Sequence, residues 1–204
     1  MGHLELFDIV DLMAVFIGAL TGALVARRLR YDITGHWTLA LISGLGGGII
    51  RDVLIASGPP LALTVPAYLP TVLVAAMVSA LFGSRIDQLR KTILVVDAVS
   101  IANFAVAGSL RAIDAGLAVW PILLLGVITA VGGGVIREVM IGETPTVFRR
   151  SELYATAALG TCLAVVVLHS LGSPRAATVI ACMAFGTFLR LGSVRWGWMS
   201  WQPK

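Results

Sequence analysis

The chain has 204 residues, 58% of them hydrophobic and only 13% charged, with a mean hydropathy of +0.93. A soluble globular domain carries about 25% charged residues, so this chain cannot cover a water-facing surface. A soluble enzyme, a disordered protein and a nucleic-acid-binding domain are all poor fits. The composition is that of an integral membrane protein, and the net charge of +4 matters less than where the basic residues fall.

A helix that crosses the hydrocarbon core needs about 20 mostly apolar residues. Seven stretches qualify in chain order: 9–26, 37–55, 66–84, 92–110, 117–141, 153–171 and 176–191. The first lacks a basic leader and ends at Arg27-Arg28 rather than at a small-residue cleavage site, so it reads as a retained span. Gly58-Pro59-Pro60 separates the second from the third, and Gly172-Ser173-Pro174 the sixth from the seventh.

Eleven of the 15 basic residues flank the spans on one side: Arg27, Arg28, Arg30, Arg85, Arg90, Lys91, Arg149, Arg150, Arg190, Arg195 and Lys204. The other side holds Arg111 and Arg175, and Arg51 and Arg137 fall within spans. The positive-inside rule then places the N-terminus outside and the C-terminus in the cytoplasm, and the absence of a long tail or an organelle signal favours a prokaryotic inner membrane. Trp37, Trp120, Trp196, Trp198 and Trp201 sit near span ends as an interfacial belt. Cys162 and Cys182 lie in apolar stretches and read as buried free thiols. His3, His36 and His169 show no metal-ligand spacing and read as structural or interfacial.

The main feature is an internal repeat. Residues 44–59 read GLGGGIIRDVLIASGP and residues 130–145 read AVGGGVIREVMIGETP, with 8 identities in 16 ungapped positions at an offset of 86. The same offset pairs Asp11 with Asp97, Gly22 with Gly108 and Tyr68 with Tyr154. The expected fold is therefore an all-α membrane protein of seven transmembrane helices in one domain. Repeat one covers about 7–91, repeat two about 93–174, and a seventh helix about 175–192. Three spans per repeat force the second copy to insert upside down, an architecture found in many transport proteins, with sites near the midplane at glycine-interrupted helices.

That description selects the second and fifth spans. Gly46-Gly47-Gly48 and Gly132-Gly133-Gly134 each lie inside one, and each glycine weakens a helix interior by about 1 kcal/mol relative to alanine. One reading is close helix packing; the other is a kink or unwound turn whose freed carbonyls line an aqueous pore. Arg51-Asp52 and Arg137-Glu138 follow the triplets. Charges at bilayer depth face a bundle interior or water and find partners. Neighbours at i and i+1 do not face each other, so each arginine is expected to pair across helices with Asp11, Asp97 or the other repeat's carboxylate. Such groups either form a structural ion-pair network or line an ion path. Two arginines against four carboxylates would favour cations. Ser43, Thr129 and Asn103 are further candidates for pore oxygens, and Arg111 and Asp114 read as a solvated loop. No P-loop, Ser/His/Asp set, CxxC or HExxH is present, so nothing supports an enzyme.

With duplicated GGGxxR[DE]V elements at Gly46–Val53 and Gly132–Val139, the chain resembles the trimeric intracellular cation (TRIC) channel family. The likeness is greatest to its prokaryotic branch, whose repeat unit is also called a glycine transporter domain. The resemblance implies a homotrimer with one pore per protomer, formed largely by glycine-kinked second and fifth helices. It also implies permeation by monovalent cations, chiefly potassium with sodium as a further ion, and no bound cofactor. The partners implied are membrane lipids, the permeant cations and two further copies of the chain, and no nucleic acid. Animal members carry Lys-Glu-Val where this chain has Arg137-Glu138-Val139, and the bulkier guanidinium bears on pore width. A secondary transporter of a small solute such as glycine is the alternative reading, and a scaffold with purely structural charges is a third.

Overall fold

The structure, a computed structural model, describes residues 6–87, 90–149 and 153–199. His3, Arg150, Trp201 and Lys204 lie outside the described residues. The elements in chain order are α1 (Leu6–Arg28), α2 (Ile33–Ile55), a one-turn α3 (Leu61–Thr64), α4 (Tyr68–Asp87), α5 (Arg90–Asp114), α6 (Val119–Met140), a 3-10 turn (Thr146–Phe148), α7 (Ala155–Ser170) and α8 (Arg175–Trp196). The two repeats are thus interrupted at matching places, by α3 after α2 and by the 3-10 turn after α6. Each long helix coincides with an expected span to within a few residues.

Five of the described helices, α1, α2, α5, α6 and α8, are long and apolar enough to cross a membrane; the apolar parts of α4 and α7 are shorter. The 16 residues of α7 rise only about 24 Å, less than a hydrocarbon core of about 30 Å.

Local chemistry sets the ends. Asp32 caps α2 by accepting the Gly35 amide at 2.8 Å. Gly197, in the left-handed region at φ 66°, stops α8. The Arg27 guanidinium donates to the carbonyls of Ser79 (3.3 Å) and Ala80 (2.9 Å), tying the end of α1 to α4. His36 Nε2 of α2 lies 3.2 Å from the Ala76 carbonyl, also of α4, a structural contact.

The centre is built from small residues. Ala14, Ala19 and Ala23 of α1 and Ala98, Ala105 and Ala107 of α5 are fully buried, which lets α1 and α5 pack together with α2 and α6 alongside. The outer helices follow, with α4 on α1, α7 on α5 and α6, and α8 on α5 and α7. Leu63, Leu81, Trp120 and Ile180 are exposed, the apolar exterior that lipid solvates. Trp196 and Trp198 are exposed and stack with ring centroids 5.3 Å apart. Cys162 and Cys182 are buried free thiols.

The glycine triplets lie where α2 crosses α6. A Cβ on Gly47 would run into the Thr129 carbonyl, and one on Gly133 into the Ser43 carbonyl. Ser43 and Thr129 are themselves 86 apart, as are Gly47 and Gly133, so each glycine contacts the counterpart of the other's partner. The two contacts are thus reciprocal between the repeats. The backbone stays α-helical through both triplets. The expected unwound turn is therefore absent, because backbone-to-backbone packing against the facing helix holds each triplet in its ladder. Gly47→Ala or Gly133→Ala is expected to cost about 1–3 kcal/mol through overpacking. A thermal melt of the purified protein in detergent would register it, with Gly48→Ala, where a Cβ would meet only Arg51 Nη2 at an ordinary 3.7 Å, as a control for glycine loss within the same helix.

Candidate functional site

The buried charges form two half-sites related by the repeat. In the first, Arg51 of α2 is fully buried. Its Nη1 donates to Asp11 Oδ1 of α1 at 2.8 Å and its Nη2 to Asp11 Oδ2 at 3.3 Å, a bidentate pair. Its Nε donates to Asp52 Oδ1 at 2.8 Å. Tyr68, at the start of α4, donates its hydroxyl to Asp11 Oδ2 at 2.5 Å, and the Leu61 amide of α3 donates to Asp52 Oδ2 at 2.9 Å. One guanidinium is thus enclosed by two carboxylates whose other oxygens are also occupied. The cluster is closed.

The expected cross-helix pairing of Arg51 is present, to Asp11. The expectation that Arg51 and Asp52 would not interact is corrected: the guanidinium is long enough to fold back along its own helix, so the i,i+1 rule for short contacts does not hold it away. Arg137 and Glu138 show the same folding back more loosely, at 3.6 Å, beyond hydrogen-bonding distance.

The second half-site has the same residue types and a different state. Glu138 is taken up by Thr146, whose amide and hydroxyl donate to it at 2.6 and 2.8 Å. In the first repeat the position aligned with Thr146 is Pro60, which has no amide hydrogen, and the donor shifts one residue to Leu61. Arg137 Nε has no hydrogen-bond partner among the described residues. Asp97 lines a cavity of about 280 Å³ instead of closing on Arg137. Arg28, Glu138, Thr146, Tyr154 and Arg190 of α8 also line it, with the Arg190 guanidinium 5.3 Å from the Tyr154 ring centroid.

A smaller enclosed space of about 20 Å³, room for about one water, adjoins this vestibule and shares Thr21, Asp97, Arg137 and Tyr154 with it. Its further walls include Ser43, Ser100, Gly133 and Gly134. A vestibule lined by charged side chains and apolar surface thus adjoins a small polar space, the neck, at the α2–α6 crossing.

The sequence candidates divide accordingly. Asp97, Arg137, Gly134, Gly133 and Ser43 meet at the vestibule and neck, with Glu138 beside them. Asp11, Arg51 and Asp52 form the sealed cluster. Gly46, Gly47 and Gly132 pack the crossing, a Cβ on Gly46 coming 3.5 Å from Gly133 Cα. A Cβ on Gly48 would lie 3.7 Å from Arg51 Nη2. Thr129 is buried and donates to the Leu125 carbonyl at 2.6 Å, and buried Asn103 lines neither cavity. The loop reading of Arg111 needs correction: it is half-buried with its guanidinium over the Phe7 ring, while Asp114 pairs with Arg175 at 2.6 Å on the surface. Among the described residues no group of three or more His, Cys, Asp or Glu is placed to hold a metal ion. Sequence reasoning missed Tyr68, Tyr154, Thr146 and Arg190 as site residues. The tyrosines recur at the repeat offset and could have been found, whereas Arg190, counted with the flanking charges, has no counterpart to signal it.

A multi-pass helical membrane protein with a charged cavity beside the crossing of its duplicated helices is built as repeat-based transport proteins are. The family model described as Glycine transporter matches twice, over residues 8–84 and 94–170, two segments of equal length again offset by 86. The UPF0126 inner membrane protein YadS of Escherichia coli K12 is 32% identical over 189 residues, 92% of this chain and 91% of its own. A solved structure from a study of conductance through TRIC cation channels has a TM-score of 0.87 at 30% identity and covers 98% of both chains. The TRIC trimeric intracellular cation channel orthologue from Rhodobacter sphaeroides has a TM-score of 0.86 at 36% identity, over 94% of this chain and 98% of that one. The chain belongs to this family, the prokaryotic TRIC channels whose duplicated unit carries the Glycine transporter description.

Proposed function

We propose that this protein is a monovalent cation channel of the bacterial inner membrane, conducting chiefly potassium and also sodium, with one path through each protomer. The observation that carries the reading is the charged vestibule adjoining a polar neck at the α2–α6 crossing, inside a chain whose exterior is apolar. In this arrangement α1, α2, α4, α5, α6, α7 and α8 make seven crossings as two inverted repeats and one extra helix. The N-terminus lies outside, the C-terminus is cytoplasmic, and three protomers assemble. The vestibule opens toward the cytoplasm, while the Arg51 cluster closes the outer half. The triplets are the places where α2 and α6 can bend as the path widens, since glycine is a common cause of helix kinks.

Channel conduction is favoured over glycine exchange by the likeness to solved TRIC cation channels at 30% and 36% identity. Purified protein in proteoliposomes is expected to show unitary potassium currents and no saturable glycine counterflow. Counterflow without unitary currents would replace the channel by the transporter. Membrane-impermeant thiol labelling of a cysteine at residue 2 in intact cells is expected to succeed from outside, and protection there would reverse the orientation.

A further inference from the structure

The two half-sites differ at one more place, the outer face of the Arg51 cluster. Phe7, in the first turn of α1, is buried, and its ring stands 5.7 Å from the guanidinium carbons of both Arg51 and Arg111. A desolvated guanidinium over an aromatic face is a favourable electrostatic contact, and here one ring serves two arginines from α2 and α5. The repeat offset puts Ile93 opposite Phe7 and Val25 opposite Arg111. An isoleucine has no ring and a valine no charge, so these positions of the second repeat cannot make such a contact, its ring contact being that of Arg190 of α8 over Tyr154 inside the vestibule.

We propose that Phe7 is a positioning residue for gating, a cation–π clamp that holds Arg51 in its closed cluster and makes the outer end the closed one. It acts through Arg51 and does not touch the permeating ion. Because the ring belongs to one buried apolar cluster with Val10, Leu110 and Val179, it also packs as an ordinary apolar side chain, so the test must separate electrostatics from shape. The inference rests on the channel reading for its gating consequence, and the clamp itself has a readout that does not.

Fluorination of the ring weakens its cation–π contact stepwise while leaving its size nearly unchanged. Full-length protein carrying mono-, di- or trifluorophenylalanine at position 7, introduced by nonsense suppression, is reconstituted in proteoliposomes. The expected result is a graded rise in open probability, reaching on the order of tenfold for the trifluoro ring. Phe7→Leu should match the trifluoro protein, and Phe7→Trp should restore or deepen closure. In parallel, phenylglyoxal modification of Arg51, read by mass spectrometry, should climb in the same order. Flat responses in both readouts overturn the proposal. Graded modification of Arg51 with no current from any protein, including the unaltered one, upholds the clamp and removes the channel reading instead. A collapse confined to Phe7→Leu, with the fluorinated series flat, leaves Phe7 a packing residue and also overturns the clamp.

Discussion

The Arg51→Gln variant is expected to lose about 3–5 kcal/mol of stability, the cost of leaving a buried charge unpaired. Asp11 would keep only the Tyr68 hydroxyl, and Asp52 only the Leu61 amide. Glutamine can donate one or two hydrogen bonds from its amide but cannot neutralise two carboxylates. The loss should appear as a lowered melting temperature and poor recovery from the membrane. Asp11→Asn tests the same cluster from the other side, since Arg51 then keeps Asp52 alone. Combining Asp11→Asn with Arg51→Gln removes opposite charges together. The double variant should therefore be more stable than the sum of the single losses predicts, by at least about 1 kcal/mol for groups in direct contact. Strict additivity would show that the cluster is not one electrostatic unit.

The contrast between the half-sites marks where sequence reasoning ran out. The duplication was legible because GGGxxR[DE]V recurs in register, and the helix boundaries followed from hydropathy and from Gly and Pro breaks. The Asp11–Arg51 pair was legible as one of several pairings, since a buried arginine must find a carboxylate. What a repeat cannot show is departure from its own symmetry. Pro60 against Thr146 moves one amide donor by a residue, and Ile93 against Phe7 removes an aromatic ring. Arg190 enters from α8, which has no counterpart at all. The repeats share only 8 of 16 residues even in their best-matched stretch, and nothing in the sequence singles out these few differences as the ones that border the half-sites, one sealed and the other open. The triplets were ambiguous for another reason. Glycine permits both a broken helix and a close crossing, and the partner that decides between them, the carbonyl of Thr129 or Ser43, belongs to the other repeat, distant in the chain and near only in the fold.

That asymmetry changes what equivalent substitutions should do. Sequence symmetry alone implies that neutralising Arg51 and Arg137 gives similar effects from opposite sides of the membrane. The structure predicts otherwise. Arg137 is buried but reaches its nearest carboxylate only at 3.6 Å and borders a cavity, so Arg137→Gln should cost less stability than the roughly 3–5 kcal/mol of breaking a tight buried pair. Its effect should fall on permeation. A unit charge roughly 8 Å from a passing cation, at an effective dielectric between that of water and about 20, raises its energy by about 0.5–2 kcal/mol. Removing that charge should increase potassium conductance about twofold to thirtyfold, more strongly for ions entering by the vestibule. Asp97 lines the same cavity with the opposite sign, so Asp97→Asn should lower conductance and weaken preference for cations over chloride. The pair is diagnostic because a packing role would make both changes harmful to folding, whereas a role in the path makes their effects on current opposite in direction. Single-channel recordings across asymmetric potassium chloride would read both quantities. Equal currents and reversal potentials in folded Arg137→Gln and Asp97→Asn proteins would take the vestibule out of the conduction path.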